Sequence, residues 1–388
     1  VGSADFTAGV TTDLHAFRWT AGAGMQSVEQ WLTENGVNVG ALNTKEAHGV
    51  NKDGSMVVGM LSTNEAFVAR VGSTGSGLIA LDELNKSISG GVSGVGGSMT
   101  AASTVINGAH SRPMARRVSE GKQTLWVAGD WGNDNHDARN GSIGIAEIGG
   151  GHNFGLAQVN VSVGKTWAKQ EGYLDGDVDS TGKYLMVESI VPLSLDNGVY
   201  ATVGAYGHCG DADIRRGYIN AGNPDYSSSN PDTNSWGFRA RVDWDDAFAV
   251  SQVQLAPYID YNYTRSTVDA YTETGGGFPA QFDKRKDNVS DLRVGVNGVL
   301  PLAKSPVTLV ANLEAAHRFD DEGARTSGQI IGLFAFDLEG QKYDTSWMKG
   351  GVGFEADIGT GTASLMLNGT TGGEMPSSWV AASYQVNF

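Results

Sequence analysis

The chain has 388 residues, with 55 glycines, 9 prolines and a formal net charge of -16 at pH 7. The acidic charge argues against nucleic-acid binding, and a single cysteine, Cys209, excludes an intramolecular disulfide bond. Abundant glycine without a Gly-X-Y period excludes collagen and favours tightly turned β structure. No apolar run approaches the ~18 residues of a transmembrane helix, so a membrane location would require a closed β-barrel.

Residues 1–75 contain an internal repeat of short, strand-like pieces. The letters AFRW at 16–19 recur in looser form as AFVAR at 66–70, and a turn at Asp53-Gly54 joins two further pieces between them. The pattern resembles the extracellular repeats named for their His-Ala-Phe tripeptide, found here at 15–17, and it predicts a propeller-like β-repeat. An ordinary small β-meander stays open as the alternative. Because the sequence opens in the middle of such a unit, we expect it to be a fragment.

A stretch rich in glycine and serine follows, and residues 76–97 are predicted to be a flexible linker. After it, Ser98 is suited to cap a helix of about two to three turns that ends near Gly108. The small side chains of this helix, predicted to fit a narrow polar pore, are Ser98, Ala101, Ala102 and Val105. A basic cluster comes next, with Arg112, Arg116, Arg117 and Lys122. We therefore assign residues 98–120 to a lumenal helix and linker.

From Leu125 onwards, apolar and polar residues alternate with the period of a β-strand. The clearest strand runs from Trp236 to Trp244, where an apolar stripe bounded by tryptophans is typical of a lipid-facing strand between two interfacial girdles. The opposite faces of these strands are predicted to line a pore. The predicted pore charges are Glu188, Arg239, Arg241, Asp243, Asp260, Arg293, Glu314, Lys349 and Glu355.

Short and long connections alternate along residues 121–388. The predicted short turns are 149–153, 194–198, 300–306 and 359–361, and the predicted long polar loops are 211–234, 271–288 and 320–345. Short turns on one rim and long loops on the other are typical of outer-membrane barrels, and the spacing predicts about twelve strands. The apolar stretch 330–338 inside the last loop predicts an additional hairpin.

The chain ends on an alternating strand whose last residue is an aromatic, and three segments together carry a resemblance to a known family. They are NGAHSRP at 107–113, WVAGDWG at 126–132 and the closing YQVNF at 384–388. Over roughly 98–388 the chain resembles a classical monomeric autotransporter of type V secretion. The resemblance implies an all-β fold: an antiparallel transmembrane barrel of about twelve strands with a lumenal helix and a β-repeat segment ahead of it.

In function, the resemblance implies an outer-membrane translocator that exports its N-terminal passenger and anchors it at the cell surface. The implied partners are outer-membrane lipid and lipopolysaccharide, the barrel assembly machinery, periplasmic chaperones and the passenger itself, with the barrel a monomer. Tyr384, Val386 and Phe388 would form the C-terminal assembly signal. Some family members cut the linker between two asparagines, but Asn85 and Asn107 are isolated, so we do not expect that reaction.

No catalytic constellation is recognisable in this chain, so we predict no enzymatic activity and no cofactor, although a missing passenger part could be enzymatic. Six of the seven histidines are scattered without metal-ligand spacing and are predicted to be structural or solvated: His48, His110, His136, His152, His208 and His317. The acidic cluster 175–179 lacks the residues that complete an EF-hand, which favours a surface loop. Two alternative functions stay open: a diffusion channel or porin, and a secreted β-repeat adhesin.

Overall fold

The computed structural model describes residues 1–6, 14–91, 100–136, 139–245 and 247–388. Residues 1–91 form an N-terminal domain of two small antiparallel sheets, each followed by a helix. Its elements are β1 (Gly2–Asp5), β2 (Leu14–Thr20), β3 (Gly24–Ser27), α1 (Val28–Glu34), β4 (Thr44–Val50), β5 (Met56–Leu61), β6 (Ala66–Arg70), β7 (Gly77–Ala80) and α2 (Leu81–Gly91). The orders are β1-β2-β3 and β4-β5-β6-β7. The two sheets share one apolar core that includes Trp31 and Phe67.

Helical residues 100–104 continue into a π-helix, Val105–Ala109, and a 3-10 turn follows at Pro113–Arg116. The remaining strands are β8 (Gln123–His136), β9 (Arg139–Asn153), β10 (Gln158–Glu171), β11 (Asp177–Ser194), β12 (Val199–Asn220), β13 (Asn223–Ser229), β14 (Asp232–Trp244), β15 (Phe248–Val250), β16 (Val253–Val268), β17 (Tyr271–Thr272), β18 (Ala280–Phe282), β19 (Arg285–Pro301), β20 (Val307–Arg318), β21 (Thr326–Ile330), β22 (Ala335–Leu338), β23 (Ser346–Ile358), β24 (Gly361–Thr370) and β25 (Ser378–Asn387). Among the described residues, no helix combines the length and the apolar character needed to cross a membrane.

Twelve of these strands pair antiparallel in a closed ring, which confirms the predicted strand number. In ring order they are β8, β9, β10, β11, β12, β14, β16, β19, β20, β23, β24 and β25. The last strand closes on the first, with Val386 opposite Leu125. The Phe388 amide donates to the Gln123 carbonyl at 3.0 Å, and the Gln123 amide donates back at 2.9 Å. Closure leaves no strand edge in the ring, so every strand can pair its backbone within a membrane.

The two rims of the barrel differ in the length of their connections. The rim at which β8 begins and β25 ends has short turns such as 195–198 and 359–360, and we call it the short-turn rim. The opposite, long-loop rim carries connections such as 269–284 and 319–345. In outer-membrane barrels the short turns are periplasmic and the longer loops are extracellular.

The side chains of the barrel strands alternate between the outer surface and the lumen. In β14 the predicted apolar stripe, including Trp236, Ala240 and Trp244, faces outwards, whereas Arg239 and Arg241 are buried inside the barrel. Trp236 and Phe238 also contact Tyr263 of the neighbouring strand β16. The outer faces of β14 and β16 therefore form an apolar and aromatic surface of the kind that faces lipid.

The predicted turn at 149–153 is wrong, because these residues belong to β9 and the turn lies at 154–157. The glycines in this stretch leave room for large lumenal side chains rather than bending the chain. A Cβ on Gly149 would lie 2.2 Å from the Trp126 ring, and one on Gly151 would lie 2.0 Å from the Asn160 side-chain oxygen. The glycine run is therefore a packing feature of a straight strand.

Much of the three predicted long loops is regular β structure. β12 continues as far as Asn220 and pairs with β13, while β17 and β18 pair with β21 and β22 of the third loop. The predicted hairpin at 330–338 is part of this small sheet, since β21 pairs with β22. These strands lie above the lipid band and need no apolar stripe, so their sequences resemble loops.

The structure also differs from the predicted linker at 76–97. Residues 77–80 form β7, which completes the second small sheet, and α2 follows directly. The buried side chains of Leu78, Leu84 and Ile88 supply the apolar contacts that order this stretch. Residues 92–97 of the predicted linker lie outside the described residues.

The outward position of Ala240 leads to a stability prediction. Ala240→Arg should lower the free energy of unfolding by about 2–4 kcal/mol, because an arginine near the bilayer midplane must leave water. Urea titration of the protein folded in lipid vesicles measures this change. Asn197→Arg, in the exposed turn at the short-turn rim, is the control and should change it by less than about 0.5 kcal/mol. Equal effects of both variants would contradict the assignment of β14 to the membrane.

Candidate functional site in the barrel lumen

The lumen is filled by residues 100–118 of the same chain, which we call the lumenal segment. Val118 lies at the short-turn rim, where its amide donates to the Gln158 side-chain oxygen at 2.8 Å. Thr100 lies towards the other end, where its hydroxyl is 3.4 Å from the Asp134 carboxylate. The lumenal segment therefore runs along the lumen from the short-turn rim towards the long-loop rim.

The first half of the lumenal segment packs through small and branched apolar side chains. Ala102, Val105 and Ile106 are buried against one side of the barrel wall, in contact with Ile145, Tyr184, Met186 and Tyr206. Ala101 is buried against Ile143 and Ala168. Small side chains allow a helix to approach the wall closely, which suits a lumen that also contains the inward side chains of the strands. Of the predicted helix residues, Ser98 lies outside the described residues.

The helix ends inside the lumen, where its last carbonyl groups have no partner within the helix. Three cations from the barrel wall meet these carbonyls and those just beyond them. Lys349 donates to the Asn107 carbonyl at 2.8 Å, Arg239 to the His110 carbonyl at 2.5 Å and Arg241 to the Ser111 carbonyl at 3.3 Å. Cations near a helix C-terminus also oppose the negative end of the helix dipole. The wall thus binds the backbone of the lumenal segment as well as its side chains.

His110 is the most tightly held side chain of the lumenal segment. Its ring nitrogens lie 2.5 Å from Glu147 and 2.7 Å from Glu188, on two different strands, and all three side chains are buried. Arg116 lies 3.5 Å from Glu147 and stacks on the Trp126 ring, with its guanidinium carbon 4.6 Å from the ring centre. The histidines were predicted to be either structural or solvated, and His110 is a structural one. No spacing signal in the sequence marked Glu147 as its partner.

The predicted pore charges all lie on the lumenal side of the strands and are mostly paired with one another. Arg239 binds Asp260 at 2.6 Å, and Arg241 binds Asp243 at 2.6 Å. Arg293 lies between Asp291 at 2.5 Å and Glu314 at 3.2 Å. Glu188 contacts His110, Lys349 contacts the lumenal segment, and Glu355 pairs with Arg112 at 2.6 Å. Buried charges of both signs therefore balance within a polar lumen.

An open space remains beside the lumenal segment. A cavity of about 320 Å³ lies towards the short-turn rim, and its lining includes Arg112, Asp130 and Glu355. Both carboxylate oxygens of Asp130 are buried without a hydrogen-bond partner among the described residues. A Cβ on Gly108 would lie 2.9 Å from this carboxylate. Glycine at this position thus lets the lumenal segment approach the wall.

The predicted C-terminal signal residues lie on the outer face of β25, opposite the lumen. Tyr384 pairs across from Val127, and its hydroxyl donates to the Ile358 carbonyl at 3.0 Å. Val386 is half-buried and Phe388 is exposed on the outer surface at the short-turn rim. The structure therefore places these three residues together on the lipid-facing side.

Comparisons with known proteins found a family model and several solved structures that are similar to this chain. A family model described as the autotransporter beta-domain matches residues 125–370. The translocator domain of the autotransporter NalP from Neisseria meningitidis has a similar fold, with a TM-score of 0.53 and 14% identity, over 75% of this chain and 99% of that one. The beta domain of the Bordetella autotransporter BrkA gives a TM-score of 0.47 and 12% identity, over 69% and 99% of the two chains.

A curated relative extends the comparison in sequence. An uncharacterized protein of the trpE-trpG intergenic region of Pseudomonas putida is 28% identical over 133 residues, or 34% of this chain. The match spans only 22% of the length of that relative. The family model, by contrast, covers more than half of this chain, in the same residues that form the closed barrel. The chain therefore belongs to the autotransporter family and contains the outer-membrane β-barrel of an autotransporter.

Proposed function

We propose that this barrel exports the N-terminal part of its own chain across the outer membrane and anchors it at the cell surface. The observation that carries the proposal is the path of the chain. It enters the lumen at the short-turn rim, continues through the lumen as residues 118–100, and leads to a domain that contacts strand ends at the long-loop rim. This is the path of a chain that has been threaded through the barrel.

The polar lumen suits this task because a threaded chain presents mainly backbone groups. Lys349, Arg239 and Arg241 donate to three backbone carbonyls of the lumenal segment. Such contacts do not depend on which side chain is passing, and charges of both signs along a narrow pore keep it hydrated. We assign the nine predicted pore charges this role: they hydrogen-bond a passing chain during export and hold the lumenal segment afterwards.

The export proposal is tested with an epitope placed ahead of Val1. On intact cells the epitope should bind antibody, because residues 1–91 would lie outside the cell. The matched control carries the same epitope in the turn 195–198 of the short-turn rim, and should bind antibody only after the outer membrane is permeabilised. An N-terminal epitope that is reached only in permeabilised cells would contradict the proposal.

We also propose that Tyr384, Val386 and Phe388 form the signal by which the barrel assembly machinery recognises the chain, with periplasmic chaperones delivering it and lipopolysaccharide facing the outer surface. Phe388→Ala keeps both backbone hydrogen bonds to Gln123, so its intrinsic stability should change little. The amount of heat-modifiable barrel in the outer membrane should nevertheless fall severalfold.

Phe154→Ala is the matched control for the assembly signal. Phe154 is also an exposed phenylalanine at the short-turn rim, but it lies in a turn rather than in the closing strand. This variant should assemble like the unmodified chain. Equal assembly of the Phe388 and Phe154 variants would show that the terminal aromatic carries no signal.

A further inference from the structure

The long-loop rim carries a structured surface that extends far above the lipid. β12 has 22 residues, which span about 75 Å when fully extended, whereas the apolar band of such barrels is only about 25 Å tall. The end of β12 pairs with β13, and the sheet β17-β18-β21-β22 stands beside them. We call residues 212–229, 271–282 and 326–338 the surface platform.

The surface platform shares an apolar core with the N-terminal domain. Ile79, Leu84 and Ile88 of that domain are fully buried, and they form one cluster with Tyr218, Phe278, Ala280, Phe282 and Ile330. Ala221 of the platform is buried in the core of the N-terminal domain itself. A shared core of this kind is stabilised by the apolar area that it removes from water. The surface platform and the N-terminal domain therefore cannot separate without exposing the apolar side chains of both to water.

Arg70 of β6 inserts its charged group into the surface platform. Its guanidinium donates to the Gly277 carbonyl at 2.9 and 2.5 Å and to the Ile331 carbonyl at 2.5 Å. The same group lies over the Phe278 ring, 5.0 Å from its centre, and the residue is only 4% exposed. Leaving these two carbonyls without their charged partner would be costly because they are shielded from water.

Helix α2 adds a second set of polar contacts. Glu83 accepts from the Ile219 amide at 2.9 Å and from the Tyr173 hydroxyl at 2.8 Å. Burial, together with the nearby Glu83 carboxylate, raises the pKa of Tyr173 to about 12. The Ser87 hydroxyl donates to the Gly217 carbonyl at 2.7 Å. The contacts of α2 thus involve both the backbone and the side chains of the barrel.

The backbones of the two parts also join directly. The Ala221 amide donates to the Leu78 carbonyl at 2.7 Å, and the Gly40 amide donates to the Ala221 carbonyl at 2.5 Å. A Cβ on Gly77 would lie 1.8 Å from the Asn220 side-chain oxygen. The N-terminal domain and the strand ends thus fit closely, as two parts of a permanent interface do.

We propose that the surface platform is a second, noncovalent anchor, which keeps residues 1–91 on the barrel even after the connecting chain is cut. The inference rests on the proposed function, because it takes these residues to lie outside the cell. The barrel strands then have two separate roles: their membrane part exports the chain, and their extension above the membrane retains the domain that has emerged.

The test uses the full chain with an epitope ahead of Val1. A Gly/Ser-flanked recognition sequence for a site-specific protease is inserted between Gly94 and Val95. After protease treatment of intact cells, cutting is scored on denaturing gels and the released domain is measured in the supernatant. We expect the cut domain to stay with the cells. Rapid and complete release of the cut domain from the otherwise unmodified chain would overturn the anchor.

Two variants locate the anchor and one serves as control. Arg70→Ala combined with Glu83→Ala removes the charged contacts. Gly77→Val introduces a side chain against Asn220. Each of these two variants should release the cut domain at least roughly tenfold faster than the otherwise unmodified chain does. Arg325→Ala removes an exposed ion pair with Asp337 on the platform and should release it no faster. Equal release from all three variants would contradict the platform as the anchor.

The two proposals fail in different ways. Antibody binding to the epitope before protease treatment reports export, and it is measured on the same cells. If the epitope binds antibody on intact cells but the domain leaves after cutting, export stands and the noncovalent anchor is wrong. If the epitope is inaccessible on intact cells, the proposed function is wrong, and the retention proposal, which needs a surface domain, is wrong with it.

Discussion

Removal of residues 1–118 should raise the single-channel conductance of the barrel in planar bilayers well above that of the intact chain. The lumenal segment fills the interior with buried side chains, and its backbone is held by Lys349, Arg239 and Arg241. Without it, charged groups of both signs would line an open, water-filled passage. This is the largest functional change that we expect from any single alteration of the chain.

A shorter deletion is the matched control for the conductance measurement. Removal of residues 1–91 takes away the N-terminal domain but leaves the lumenal segment, so conductance should stay close to that of the intact chain. Together the two deletions would show that residues 100–118, rather than the domain outside the lumen, block the flow of ions through the barrel. An intact chain that already conducts as well as the longer deletion would favour the alternative of a diffusion channel.

Arg239→Met should lower the free energy of unfolding by about 3–5 kcal/mol, because it breaks a buried ion-pair network from one side. Arg239 binds Asp260 at 2.6 Å, lies 3.6 Å from Glu188 and donates to the His110 carbonyl. After the substitution the Asp260 carboxylate loses its closest partner in a site that is 1% exposed. Urea titration in lipid vesicles, followed by heat-modifiable mobility, measures the change.

Two further variants make the Arg239 prediction specific. Arg239→Met combined with Asp260→Leu removes both members of the pair, so part of the lost stability should return. Arg325→Met breaks the exposed pair with Asp337, at 2.9 Å, and should change the free energy of unfolding little, because water screens that pair. An Arg239 variant as stable as the Arg325 variant would show that the lumenal network does not stabilise the barrel.

The contacts of the lumenal segment explain why so little of its position in the barrel could be predicted from its sequence. Three of its contacts with the wall use backbone carbonyls, which every residue has, and the residues that meet them are far away in the chain. Only the small side chains of Ala101 and Ala102 mark the helix in the sequence. His110 looks like an isolated histidine until Glu147 and Glu188 are brought to it by two strands.

The sequence by itself determined the barrel: the outward apolar stripes, the inward charges, the number of strands and the unequal rims. Lipid on one side and water on the other impose a period of two on every spanning strand, and that period is a local property of the chain. Only the tertiary structure decided where the strands continue beyond the lipid, how Arg70 and α2 bind the surface platform, and what holds the lumenal segment. Above the membrane both faces of a strand meet water or protein, so the period disappears, and pairing between residues as distant as Arg70 and Gly277 depends on the closed ring.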